Sequence, residues 1–66
     1  MLITLNGDAY RLQGDGNLTN LLDQIGLRDK RVAVEHNGEI IPRSQHAQLE
    51  LKPGDVLEIV QAIGGG

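Results

Sequence analysis

The sequence predicts an α+β fold in which a single mixed sheet of four to five strands carries one main helix packed across one face. Three observations predict it. Two Asn-Gly pairs, Asn6-Gly7 and Asn37-Gly38, each lie between short alternating apolar runs, the pattern of a tight β-hairpin. One stretch, Leu18 to Ile25, spaces its apolar residues at i, i+3, i+4 and i+7, a single helical stripe. A helix of about two to three turns cannot stand alone, so its stripe must lie on the sheet.

The elements follow in order. In "MLITLNGDAYRLQ", Ile3 and Leu5 alternate with Leu2 and Thr4, the Asn6-Gly7 turn reverses the chain, and Tyr10 and Leu12 resume the alternation. "GDG" at Gly14 to Gly16 then breaks the strand. Asn17 is placed to cap the helix, and Gly26 suits the left-handed position just past its end. In "RVAVEHNGEIIP", Val32 and Val34 face one way, Asn37-Gly38 turns, Ile40-Ile41 returns, and Pro42 ends the pairing because it has no N–H to give. "RSQHAQ" is a polar excursion of about one helical turn. Leu49 and Leu51 alternate, Lys52-Pro53-Gly54-Asp55 turns, and a last strand sets Leu57 and Ile59 against Val56, Glu58 and Val60. This makes one domain over 1–63 and a flexible glycine tail over 64–66.

Composition narrows the function classes. Sixty-six residues without a cysteine hold one small aliphatic core, with neither disulfide nor thiolate metal site to support it. A catalytic pocket deep enough to exclude water would use up core that the chain can hardly spare. The net charge is −3, and the only basic cluster, "RDKR" from Arg28 to Arg31, is interrupted by Asp29 and reads as a solvated turn. Nucleic acid is not expected as a partner, since there is no basic stripe and only one aromatic residue. No apolar run reaches membrane-spanning length and no signal sequence stands at the start, so the expectation is a cytoplasmic protein, monomeric when free. "NLT" at Asn17 matches a glycosylation sequon that such a protein would leave unused.

Catalytic chemistry finds little support. Glycines 14 and 16 are not followed by the Lys-Ser or Lys-Thr of a phosphate-binding loop. His36 abuts a tight turn, and His46 lies in the polar excursion two residues from Ser44, a spacing that does not dock a nucleophile on its base. No ligand spacing suggests a metal. Ala33 and Val60 point away from the helix beside Glu35 and Glu58, an apolar spot rimmed by acids; it reads equally as a partner-docking patch or as ordinary exposed surface.

The remaining feature is the ending, "QAIGGG". Glycine has no side chain, enters a narrow channel and adopts almost any backbone conformation. A terminal carboxylate is a handle that another enzyme can activate as an acyl-adenylate. Such a tail, reaching about 10 Å from the last strand, suits a carrier.

These residues carry a resemblance that spans the whole chain. "VAVEHNGEIIPR" (Val32 to Arg43) and "KPGDVLEIVQAIGGG" (Lys52 to Gly66) resemble the ubiquitin-like β-grasp proteins, and among them the ThiS sulfur carriers of thiamin biosynthesis. The resemblance implies a protein cosubstrate and no enzyme. It implies that Gly66 is the modified residue, and that Gly64, Gly65 and Gly66 thread a partner's active site. A ubiquitin-activating-enzyme-like adenylyltransferase would spend ATP on the Gly66 carboxylate, with no cofactor bound to the carrier itself. A sulfur-relay enzyme linked to a cysteine desulfurase would make the thiocarboxylate, and thiazole synthase would take its sulfur. Ile63, Val60, Ala33 and Glu58 are the expected partner contacts. A molybdopterin-synthase small-subunit-like carrier shares fold, tail and chemistry and stands second, ahead of a ubiquitin-like modifier or non-covalent binding module.

Overall fold

The structure, a computed structural model, describes residues 1–62. Five strands form one sheet: β1 (Leu2–Leu5), β2 (Asp8–Arg11), β3 (Val32–His36), β4 (Glu39–Ile41) and β5 (Val56–Gln61). The helix α1 (Leu18–Gln24) and a 3-10 helix (Arg43–Gln48) complete the described elements. The sheet order is β2-β1-β5-β3-β4. β1 and β5 run parallel, and the other neighbouring pairs are antiparallel. The expected architecture is therefore present.

Both Asn-Gly turns take positive φ at both central residues, 50° and 87° at Asn6-Gly7 and 49° and 87° at Asn37-Gly38. That is the mirror-image turn whose twist matches paired strands, and asparagine and glycine tolerate it best. The helix is closed at each end as expected. Asn17 accepts from the Thr19 N–H at 2.9 Å. Beyond Gln24 the Leu27 N–H reaches the Leu22 carbonyl and the Gly26 N–H that of Asp23, with Gly26 at φ 79°. These two bonds are the Schellman ending, which serves carbonyls that the helix leaves unpaired. Leu49 to Leu51 contributes one isolated bridge, Asn17 to Glu50, and no strand of its own. The Leu18 N–H and Leu51 N–H bond to the carbonyls of Leu49 and Gly16, tying the start of α1 to this segment.

Alternation sorts each strand into two faces. Ile3, Val34, Leu57 and Ile59 meet Leu18, Leu21 and Leu22 of α1, with Leu12 and Leu51 closing the core. The side chains of Leu18, Leu21 and Leu57 are fully buried. Each such aliphatic side chain contributes about 1.5–3 kcal/mol by leaving water.

β5 is held by more than its ladders. The Asn6 side chain donates to the Ile59 carbonyl at 3.1 Å and accepts from the Ile59 N–H at 2.7 Å. Its own backbone N–H donates to Leu57 O at 2.8 Å. Asn37 does the equivalent at the strand's start: its side-chain oxygen accepts from the Val56 N–H at 2.8 Å and its backbone N–H donates to the Val56 carbonyl at 2.8 Å. Each turn asparagine thus extends a ladder after its own strand has turned away. Replacing Asn6 by Gly keeps the left-handed turn and the backbone bond to Leu57, removes the side-chain bonds to Ile59, and makes the unfolded chain more flexible. We expect Asn6→Gly to lower the unfolding free energy by about 1–2 kcal/mol in urea titration; an unchanged midpoint would show that the grip contributes nothing.

Candidate functional site

The face of the sheet away from α1 is open. Four large apolar residues are exposed among the described residues: Leu2, Ile40, Val56 and Val60. All four belong to the alternate, outward set of their strands. Val60 and Ile40 are the barest, at 64% and 78% exposed, and both border a shallow depression of about 140 Å³ shared with Ala33, Glu35 and Glu58. The strand register explains the grouping: Ala33 stands opposite Val60, Glu35 opposite Glu58, and Glu35 also opposite Ile40. The apolar spot rimmed by acids is there, and Ile40 enlarges it. The sequence signal for Ile40 was available: in "EII" only one of two adjacent isoleucines can face the core. Two carboxylates directly opposed across neighbouring strands repel each other, a local cost to the sheet.

β5 ends beside the start of β3. Gln61 pairs with Val32, and the Ala62 N–H donates to the Arg31 carbonyl at 2.8 Å. The chain therefore leaves the sheet from a backbone position fixed by the ladder, next to the loop that carries Arg28, Lys30 and Arg31. The expected contact Ile63 and the glycines 64, 65 and 66, with the proposed domain boundary before them, lie outside the described residues. Val60, Ala33 and Glu58 are placed together at the exit end of the open face.

The histidines are structural. His36 Nε2–H donates to Asp55 Oδ2 at 2.7 Å, and Asp55 also accepts from the Lys52 N–H at 2.9 Å and from the Asn37 side chain at 3.2 Å. Burial works against the Asp55 charge, but the hydrogen bonds from His36, Lys52 and Asn37, with the nearby His36 charge, outweigh it and hold the carboxyl below its usual range. His46 lies in the one-turn polar excursion that the sequence predicts, as a 3-10 helix. It is buried, 8% exposed, and donates from Nε2 to the Ile41 carbonyl at 3.1 Å. The 3-10 helix turns its ring inward and leaves Ser44 exposed, so the pair does not form a nucleophile and base. Among the described residues, no three potential metal-binding side chains come together.

Because the folded pKa of Asp55 lies below that of the unfolded chain, about 3.9, its contribution to stability is complete above that value. It is lost as pH falls through the folded pKa. Thermal melts from neutral pH down to about pH 2 should show wild-type stability falling below about pH 4. Asp55→Asn should be less stable at neutral pH by about 1–2 kcal/mol and flatter in the acid range. Parallel curves would remove Asp55 from this role.

A five-stranded sheet in this order, crossed by one helix and open on its other face, defines a β-grasp protein of the ubiquitin-like class. Over its whole length the chain superimposes on the whole crystal structure of the thiamine biosynthesis protein ThiS from Geobacter metallireducens, with a TM-score of 0.81 and 33% identity. The ThiS family model matches residues 3–66. The chain belongs to the ThiS family. It is 39% identical to the sulfur carrier protein ThiS of Bacillus subtilis, with 98% of this chain and 100% of that protein aligned. It is 41% identical to a thiazole synthase of Paramagnetospirillum magneticum, where all of this chain aligns with 20% of that protein. The chain thus spans about a fifth of the length of that relative. Among the described residues no helix is long and apolar enough to cross a membrane.

Proposed function

We propose that the chain is a sulfur carrier for thiamin biosynthesis and acts as a protein cosubstrate without catalysing a reaction itself. The observation that carries this reading is that the family match runs through Gly66, so the glycines are included with the folded domain. The chemistry belongs to the end of the chain. The Gly66 carboxylate attacks the α-phosphorus of ATP in a partner adenylyltransferase of the ubiquitin-activating type, and pyrophosphate leaves. The terminal sulfur of a persulfide on a relay enzyme, charged by a cysteine desulfurase, then displaces AMP to give an acyl disulfide. A second thiol attacks the relay enzyme's own sulfur, leaving a disulfide there and releasing the thiocarboxylate, which delivers sulfur to thiazole synthase. The similarity to one-fifth of a thiazole synthase supports that choice of client.

Each part of the structure has a role in this scheme. The bond from Ala62 to Arg31 fixes where the backbone leaves the sheet. Gly64, Gly65 and Gly66 pass through the partner's channel because they carry no side chains. Val60, Ala33 and Ile40 supply an apolar contact beside the exit. Glu58 and Glu35 suit a partner cation, which would relieve their mutual repulsion.

The direct test is the intact mass of the protein purified from cells with the pathway induced. One oxygen-to-sulfur exchange, reversed by alkaline hydrolysis, is the expected result. An unmodified mass, with no carrier-dependent ATP–pyrophosphate exchange by the adenylyltransferase, would overturn the reading. Two variants divide tail from face. Removing Gly66 should abolish exchange while the thermal midpoint stays unchanged. Val60→Asp should raise the KM for the carrier by about tenfold or more, as expected when a carboxylate enters an apolar contact, again with the fold intact.

A further inference from the structure

The basic segment "RDKR" finds no use in the scheme above. In the structure it forms one wall of a cleft of about 420 Å³ between α1, the loop that follows it and the 3-10 helix. Arg28, Lys30 and Arg43 line the cleft, Asp29 is the one acid among its lining residues, and Leu22 and Val32 contribute apolar surface. Arg28 approaches Asp23 at 3.8 Å, but both side chains are more than half exposed and the pair is loose. This gathers three of the chain's six Lys and Arg residues into one cleft of a protein whose net charge is −3.

The position of the cleft decides what it meets. Val32 belongs to its lining and also pairs with Gln61, while Ala62 is bonded to Arg31. The basic cleft therefore borders the point where β5 leaves the sheet. A partner that encloses the residues following Ala62 must bring the mouth of its channel against this loop. Cations on an apolar floor match acidic side chains set among apolar ones, and they steer such a surface towards the exit from a distance of about one Debye length. Inorganic phosphate alone would have no use for the apolar floor.

From this geometry we infer that the cleft formed by Arg28, Lys30 and Arg43 docks an acidic segment of the protein partner that takes up the tail, beside the channel mouth. The inference rests on the carrier reading and adds to it a second, oppositely charged contact surface. Its chemistry is non-covalent: carboxylates of the partner accept from guanidinium and ammonium groups.

The test is carrier-dependent ATP–pyrophosphate exchange by the adenylyltransferase at several salt concentrations. Lys30→Glu, Arg43→Glu and the double variant are compared with Lys52→Glu, a reversal of the same charge in the turn at the opposite end of β5. The double variant should raise the KM for the carrier by about tenfold or more, leave kcat within about twofold, and weaken the salt dependence. Lys52→Glu should leave KM within about twofold of the unaltered chain. If the double variant loses its thermal midpoint, Lys30→Gln with Arg43→Gln replaces it and should show a smaller change of the same sign. Equal effects at Lys52 and in the cleft, or no effect at either, overturn the inference while exchange by the unaltered chain still upholds the carrier reading. Saturable backbone amide shifts at the cleft on adding millimolar inorganic phosphate would also overturn it, in favour of a small-anion site. Absence of exchange with the unaltered chain overturns both.

Discussion

The fold depends on β5 being gripped from both sides. Each hairpin closes locally, across an Asn-Gly turn, but β1 and β3 do not pair with each other; β5 lies between them. Until it enters, two ribbons share only a partial core, and neither could be stable alone. Its entry buries Leu57 and Ile59 at the centre of the apolar cluster. It also joins residues more than fifty positions apart, as in the bonds between Asn6 and Ile59. The side-chain amides of Asn6 and Asn37 meet backbone groups that lie past the last ladder pair on each side. Both turns thus fold the hairpin and fasten the strand that unites the hairpins.

One strand thereby serves two faces and an exit. Along β5 the residues at 57 and 59 hold the domain together, and those at 58 and 60 are offered outward. Strand geometry enforces the division, because successive side chains point to opposite sides. A change at Val60 can alter recognition without opening the core. The exit inherits the rigidity of the centre: Ala62 follows directly from a strand with a neighbour on each side, and its own N–H is still bonded to Arg31. The point at which the backbone leaves the sheet is thereby fixed as far as Ala62.

Much of this was legible from local chemistry. Asn-Gly between alternating runs specifies a hairpin, the Asn17 and Gly26 caps bound a helix, and the four apolar positions from Leu18 to Ile25 identify the side it buries. The opposition of Ala33 to Val60 followed from alternation once the two strands were neighbours. What could not be read was long-range. Nothing in "TLNGD" says that the Asn6 amide will meet Ile59, since that contact exists only after β5 has chosen its place. The burial of His46 was equally out of reach: a polar window hides an inward ring, and the 3-10 turn and the Ile41 carbonyl that accepts from it are brought together only by the fold. The RDKR segment is the exposed turn that the sequence predicts, with Asp29 diluting its charge. Arg43, twelve residues beyond Arg31, restores that charge in space.

Charge placement then bears on orientation. An apolar patch alone lets two surfaces meet in many rotations of similar energy. Here the open face carries the opposed acids Glu35 and Glu58, and the exit loop with the 3-10 helix carries Arg28, Lys30 and Arg43. Opposite signs on two sides of the same exit define a direction across it. A partner with the complementary pair of charges is drawn in one rotation and repelled in the reverse one, since like charges would then meet on both sides. The repulsion between Glu35 and Glu58 has a place in this account: it costs the isolated domain a little stability and is relieved when a cation arrives. The same residues therefore weaken the free sheet and favour a docking rotation that brings a cation to them.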